Sequence, residues 1–401
     1  MWIKYVRQVS FLPFLLSFPY YHIQIYNSGS EFHYLSAMKI AEILAHLETI
    51  APPSLQETYD NAGLITGDPE MECTGLICSL DTTVDVIEEA IQKKANLIVS
   101  HHPIIYSGLK KITGKNYVGK ALIHAIKNDI AIYAIHTNLD NVIHGVNGRI
   151  ADLLGLKNRE ILSHRPATLK KLYFFVPVDH ADKVRRAIFD AGAGRVGNYS
   201  ECSFNTSGQG TFKAEAGANP FVGHLGETHI ENELRIEAVF APHLQEKIVA
   251  ALKWAHPYEE VAYDVVELAN EDIRIGSGIV GELPEAVSAP EFLQWLKQQF
   301  GLPFIRHTAF HGRPIKRLAI CGGAGSFLIS KALATGADAF ITSDLKYHDF
   351  FDANGCLLLC DIGHYESEQF TIDLLWEGLG QKFPTFAVLK TGVRTNPVYY
   401  F

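Results

Sequence analysis

At 401 residues, with 47% hydrophobic and 20% charged content, the chain is too long for one ordinary core and apolar enough to bury two or three. A formal net charge of −9 without clustered Lys and Arg excludes a nucleic-acid-binding surface, so nucleic acid is not an expected partner. Six cysteines form no C-x-x-C pair; they read as buried thiols of a reducing compartment, which makes the expected localisation cytoplasmic.

At the N-terminus, Lys4 and Arg7 precede the apolar run Phe11-Leu12-Pro13-Phe14-Leu15-Leu16, the outline of a signal peptide. Pro13 and Pro19 interrupt it, no small-x-small cleavage site follows, and the run is too short to span a bilayer. Residues 1–37 are therefore expected to be an extension outside the fold, from a mis-assigned start, and a membrane is not an expected partner. The fold is expected to begin at Met38, where Ile40, Ile43, Leu44 and Leu47 share one helical face.

From Met38 to about Leu156, short apolar runs alternate with helix-length segments. Gly75 to Leu80, Ala95 to Ser100 and Ile130 to Ile135 read as strands; Val84 to Lys94 and Gly119 to Asn128 read as helices. Such βαβ units predict an α/β core with a mainly parallel sheet. The rhythm returns at Leu318 to Cys321, a helix from Ser326, Ala339 to Thr342, Leu357 to Cys360 and a helix from Tyr365. Between these halves the texture changes. Strand-like Leu172 to Val176 and Leu234 to Val239, helices at Asp182 to Ala191 and His243 to Ala255, and a Gly/Ser/Asn-rich loop around Ser207 to Asn219 predict an inserted ferredoxin-like α+β domain. The expected domains are thus 38–168 with 269–401 as the α/β core, and 169–268 as the insert.

Polar residues follow the core strands, where open α/β sheets bind ligands. Ser100-His101-His102-Pro103 ends one strand. Neighbouring residues of a strand point to opposite faces, so this doublet serves two adjacent metals more easily than one. His136-Thr137-Asn138-Leu139-Asp140 ends the next, although Asp140 taken alone reads as a helix cap. His364 and Glu368, four apart at a helix start, share one face, and a glutamate can bridge two cations. Together His101, His102, Asp140, His364 and Glu368 form a mixed imidazole and carboxylate set suited to two divalent ions: zinc, manganese or iron. His136, Asp344 and His348 are expected to orient the ligands, and Glu366 is read as a general base. Gly322-Gly323-Ala324-Gly325 lacks a P-loop's Gly-Lys-Ser/Thr, and a tightly packed turn is the better reading than a phosphate cradle. In the insert, His256-Pro257-Tyr258-Glu259-Glu260 has the look of a site, yet a surface loop or interface is the plainer reading.

The order of Tyr59-Asp60-Asn61-Ala62-Gly63-Leu64, Ser100 to Pro103, His136 to Asp140, Cys321 to Gly325, Thr342 to His348 and Asp361 to Glu368 resembles the Ngg-one-interacting-factor-three-like family. That family is also called the GTP cyclohydrolase I type II family. The resemblance runs from Met38 to the end and is to its long form with a PII-like or CutA-like insert, matched by Gly194 to Tyr199 and His256 to Glu260. It implies a dinuclear metal site at the five residues already named, a toroidal homohexamer with metals facing an inner cavity, and a small-molecule substrate, a nucleotide by the family's name. Tyr59 stands where Trp is common in the family and Ser343 where Gly is common. The expected function is a metal-dependent hydrolase; the alternative is a non-catalytic metal carrier or regulatory scaffold.

Overall fold

The computed structural model describes residues 38–401. The expected N-terminal extension, 1–37, lies outside the described residues. Residues 39–401 form one compact unit containing three β-sheets with helices packed on them.

The first sheet runs in the order Gly63–Thr66, Ala131–Ala134, Leu97–Ser100, Leu76–Ser79, Val388–Lys390. Its outermost pair at Gly63–Thr66 is antiparallel and the rest are parallel. The three central strands are buried along their full length, as strands covered on both faces must be. Helices Val84–Gln92 and Tyr117–Lys127 cover one face through Val86, Ile87, Ala90, Ala121, Leu122 and Ala125. Thr83 and Asn116 cap them, each side chain accepting a first-turn backbone N–H, from Val86 and Gly119 respectively.

The second sheet runs Arg306–His307, Leu358–Asp361, Ala339–Ser343, Ile315–Ala324, Gly276–Val287, Lys157–His164. Its three central parallel strands come from the second βαβ region, and antiparallel strands flank them. The core is α/β as expected, but its parallel strands are divided between two mixed sheets. Local pattern cannot reveal this division, because each βαβ unit looks alike whichever sheet it joins. The C-terminal strand Val388–Lys390 crosses back to pair with Leu76–Cys78, which ties the last part of the chain to the first sheet.

The third sheet is wholly antiparallel, in the order Phe204–Lys213, Thr228–Phe240, Lys170–Pro177, Tyr263–Glu267. Helices Ala181–Asp190 and Gln245–Ala255 pack against Leu172, Phe174, Val176, Ile236 and Ala238. One sequence expectation fails here. Residues 207–213, expected in a loop, belong to a ten-residue strand. Ser207, Gly208, Gln209 and Gly210 have weak strand propensity and little or no side chain to bury, but an unbroken ladder to Thr228–Phe240 supplies their backbone partners.

All six cysteines are free. Four are buried, whereas Cys202 is half-buried and Cys356 exposed. Among the described residues no helix is long and apolar enough to cross a membrane.

Candidate metal centre

The carboxyl ends of the parallel strands of the two core sheets point into one crevice. From the first sheet, His101 and His102 follow Leu97–Ser100, and Asp140 closes the short helix Thr137–Asp140 just beyond Ala131–Ala134. From the second, His364 and Glu368 begin and end the helix His364–Glu368 after Leu358–Asp361.

Glu368, 3% exposed, stands at the centre. Its Oε2 lies 2.9 Å from His102 Nε2 and 3.1 Å from His364 Nε2, and those two nitrogens are 3.3 Å apart. Its Oε1 faces the other way, 3.9 Å from His101 Nε2, which is 3.7 Å from Asp140 Oδ1. Two donor groups therefore share one carboxylate: His102, His364 and Glu368, and His101, Asp140 and Glu368, with donors inside each group within 4.8 Å of one another. His101, His102 and His136 make a third such group.

Each imidazole is held from behind. His101 Nδ1–H donates to the Ile135 carbonyl at 2.8 Å, His102 Nδ1–H to Asp81 Oδ1 at 2.8 Å, and His364 Nδ1–H to Asp344 Oδ2 at 2.6 Å. With Nδ1 so engaged, Nε2 is the nitrogen presented to the crevice. Asp344 orients His364 from a left-handed backbone, φ 57°. His136 Nδ1–H donates to Asp60 Oδ1 at 2.6 Å, and its ring stands edge-on to those of His101 and His102.

The glycine turn makes room for this arrangement. A Cβ on Gly323, whose φ is 64°, would lie 2.3 Å from Glu368 Oε1. The Gly322 N–H donates to Asn147 Oδ1 and the Gly323 N–H to Ser367 Oγ, so both amides are occupied and the turn is packing, not a phosphate cradle.

The donor set fits divalent cations. His101 Nε2 and Asp140 Oδ1 are shut off from solvent without a hydrogen-bond partner, and leaving a buried polar atom unmatched costs roughly 1–3 kcal/mol. His102 and His364 aim two Nε2 atoms at one another and at the same Glu368 oxygen, a triangle that protons satisfy poorly. Its edges of 2.9, 3.1 and 3.3 Å are close to the roughly 3.3 Å between ligands held tetrahedrally at about 2.0–2.1 Å.

Electrostatics agree. Burial pushes the His102 ring down, but Asp81 and Glu368 outweigh it and raise the pKa to about 9. For His364 burial is likewise outweighed, by Asp344 and Glu368, and the pKa rises to about 11. Burial, then Glu368, pushes Asp140 up. Burial also pushes Glu368 up, yet the imidazoles of His101, His102 and His364 hold its carboxyl well below the usual range.

Of the other sequence candidates, Asp344 and His136 reach the cluster. His348 instead packs against Tyr347 and Phe351. Glu366 is buried with its Oε1 accepting from Asn396 Nδ2 at 2.9 Å, on the wall of a cavity of about 460 Å³ that also includes His102 and His364. A larger cavity of about 940 Å³ opens on the other side, with Tyr59, Tyr106 and His136 on its wall. Sequence reasoning missed Asp81 and Asp60. The signal for Asp81 was present, since it follows the strand Leu76–Ser79 just as the doublet follows its own strand.

Comparison with known proteins places the chain. Residues 38–397 match the family described as Duf34/NIF3 (NGG1p interacting factor 3). A Halalkalibacterium halodurans protein named GTP cyclohydrolase 1 type 2 homolog is 42% identical over 371 residues, covering 90% of this chain and 99% of that one. A Staphylococcus epidermidis protein of the same name is 33% identical over 367 residues, 90% of this chain and all of the other. Among solved structures, a Bacillus cereus protein related to NIF3 superposes with a TM-score of 0.80 at 36% identity, covering 91% of this chain and 100% of that one. The chain belongs to the Duf34/NIF3 family.

Proposed function

From membership of the Duf34/NIF3 family, we propose that this chain is a metal-dependent hydrolase of the GTP cyclohydrolase type 2 kind, acting on a small molecule of nucleotide class. The observation that carries the proposal is the division of Glu368, Oε2 toward His102 and His364 and Oε1 toward His101 and Asp140. Two ions would be held here, one by His102, His364 and Glu368 and the other by His101, Asp140 and Glu368. The mixed nitrogen and oxygen donors suit zinc, manganese or iron. Such ions, when bound, polarise an electrophile and lower the pKa of a water. The chain's own residues do the rest. Ile135, Asp81 and Asp344 fix the imidazole orientations, the crevice shields the charged groups, and Glu366 is assigned to proton transfer from the wall it shares with His102 and His364.

Residues 169–268 are proposed to be an inserted ferredoxin-like domain. Three observations support this: the β-α-β-β-α-β element order, a hydrophobic core drawn wholly from 172–255, and the meeting of its two ends, where Leu268 N–H donates to the Leu169 carbonyl at 3.1 Å. We further propose a homohexamer, on the family resemblance, and a cytoplasmic location, in keeping with six free cysteines.

Metal analysis of the purified chain, coupled to a turnover assay over nucleotides and phosphoesters, tests the hydrolase reading. Two equivalents of metal with metal-dependent turnover is the expected result. A metal-loaded protein that turns over nothing but passes its metal to an apo-acceptor protein replaces the hydrolase with a carrier.

A further inference from the structure

A separate cavity of about 740 Å³ lies between the hairpin Phe204–Lys213/Thr228–Phe240 and the turn at 256–260, and shares no lining residue with the cavities beside the metal centre. Its walls are aromatic. Tyr258 stands 6.1 Å from Phe212 and 6.3 Å from Phe221, ring centre to ring centre. Its inner end is Glu233, only 8% exposed.

The cavity is built rather than incidental. His256 Nε2–H donates to the Phe175 carbonyl at 2.8 Å and Nδ1 accepts the Tyr258 N–H at 3.1 Å, so one neutral imidazole pins the turn to the strand Lys170–Pro177. Burial holds that ring's pKa down, which keeps it in the neutral form. Tyr258 Oη–H then donates to Glu233 Oε1 at 2.9 Å. Across the mouth, the Asn219 N–H donates to Glu259 Oε1 at 2.8 Å and fastens the loop carrying Phe221. Gly210 clears the carboxylate, since a Cβ there would lie 2.2 Å from Glu233 Oε2.

Among the described residues Glu233 has no ion-pair partner, and Tyr258 is its one hydrogen-bond donor. Its Oε2, without a partner among the described residues, is not sealed from solvent and opens to the cavity, where donors from a ligand can reach it. Four carboxylates, Glu215, Glu233, Glu259 and Glu260, line the cavity against Lys213 and Arg235, and Arg235 already lies 3.4 Å from Glu237 and over the Tyr173 ring. That balance repels a phosphate chain. The volume falls within the roughly 300–1,000 Å³ of small-molecule sites.

We propose that this cavity binds an uncharged purine nucleoside or base of guanine type, its ring stacked among Phe212, Phe221 and Tyr258 and its adjacent N–H donors set against the Glu233 carboxylate. Two parallel N–H groups match the two oxygens of a carboxylate. Adenine puts a ring acceptor where guanine has its second donor, so it meets the carboxylate with a repulsive contact. The site stands independently of the metal-centre reading.

Calorimetric titration of the full-length protein with guanosine, and with adenosine in parallel, tests it. Saturable guanosine binding is expected, with adenosine and the Glu233→Gln variant each weaker by about tenfold or more, the scale of a lost charge-assisted hydrogen bond. Phe221→Ala, at an exposed wall position that the fold tolerates, is expected to weaken binding as well. Glu368→Gln is expected to leave it unchanged, and unchanged amide-exchange protection along the strand Thr228–Phe240 in Glu233→Gln shows that the insert of the variant is folded. No guanosine binding by the wild type, equal binding of adenosine, or undiminished binding by Glu233→Gln and Phe221→Ala overturns the proposal. Loss of binding in Glu368→Gln moves the nucleoside to the metal crevice and overturns it too.

Discussion

His102 Nε2 and Glu368 Oε2, 266 residues apart in the chain, meet at 2.9 Å. One follows a strand of the first core sheet and the other ends a helix behind the second, so this contact exists only once both sheets have formed and docked. Closing so long a loop costs conformational entropy, and burying Glu368 adds desolvation. A cation between the partners would offset part of both costs, so metal binding would add to the stability of the docked sheets.

Glu368→Gln is therefore expected to lower metal affinity by at least about tenfold while keeping side-chain volume, because the amide cannot serve two cations as an anion. Metal content after dialysis against a buffered chelator reads the loss. Full metal retention would remove the bridging carboxylate from the proposal.

Asp344→Asn tests orientation without touching a proposed ligand. Asn tolerates the left-handed backbone at this position, φ 57°, but offers His364 Nδ1–H only a neutral acceptor. Metal affinity is expected to fall roughly 10–100-fold, the usual cost of losing a carboxylate behind a ligating imidazole, with the thermal midpoint of the chelated protein nearly unchanged. A parallel fall in that midpoint would instead assign Asp344 a structural role.

Removing 169–268 and joining Thr168 to Ala269 through a short linker is expected to leave metal stoichiometry intact, since Leu169 and Leu268 already meet and the insert carries its own hydrophobic core. A folded deletion protein without metal would show that the insert completes the centre.

The glycine turn gives a steric prediction. Gly323→Ala places a Cβ 2.3 Å from Glu368 Oε1 on a backbone at φ 64°, so a loss of about 1–3 kcal/mol in stability, together with displaced metal, is expected from denaturant titration and metal analysis. Unchanged values for both would show that Glu368 has room to move.

The legible part of the centre was what local periodicity encodes. His364 and Glu368 stand one helical turn apart, and His101, His102 and Asp140 follow apolar strands, so one rule about strand ends finds them. Asp81 and Asp60 escaped because their partners are 21 and 76 residues away, and a lone Asp after a strand resembles an ordinary cap. His348 was named because it shares a segment with Asp344, but the 3₁₀ segment Tyr347–Ala353 sets it among aromatic side chains instead. In the hairpin, Gly208 to Gly210 read as loop because their strand conformation is imposed by the partner strand and not by their own side chains.

Asp60 supplies the pH dependence. Its carboxylate accepts from His136 Nδ1–H at 2.6 Å, the Thr137 backbone N–H at 3.0 Å and the Thr137 hydroxyl. Burial pushes its pKa up, but the imidazole and these hydrogen bonds outweigh burial and bring it down to about 2. A folded pKa below the unfolded value of about 3.9 means that the contribution is complete above that pH and is lost as pH falls toward 2; one unit is worth about 1.4 kcal/mol, so the whole is on the order of 2 kcal/mol. Asp60→Asn, measured in the chelated protein, is accordingly expected to be less stable than wild type at pH 6 by roughly that amount. The gap should narrow as pH falls from about 4 toward 2, because the unfolded chain's Asp60 takes up its proton near pH 4 while the folded carboxylate holds out to about 2. Thermal midpoints of the two proteins across this range check it, and a gap that stays constant would mean that the Asp60 charge contributes nothing to holding His136 and Thr137 at the edge of the crevice.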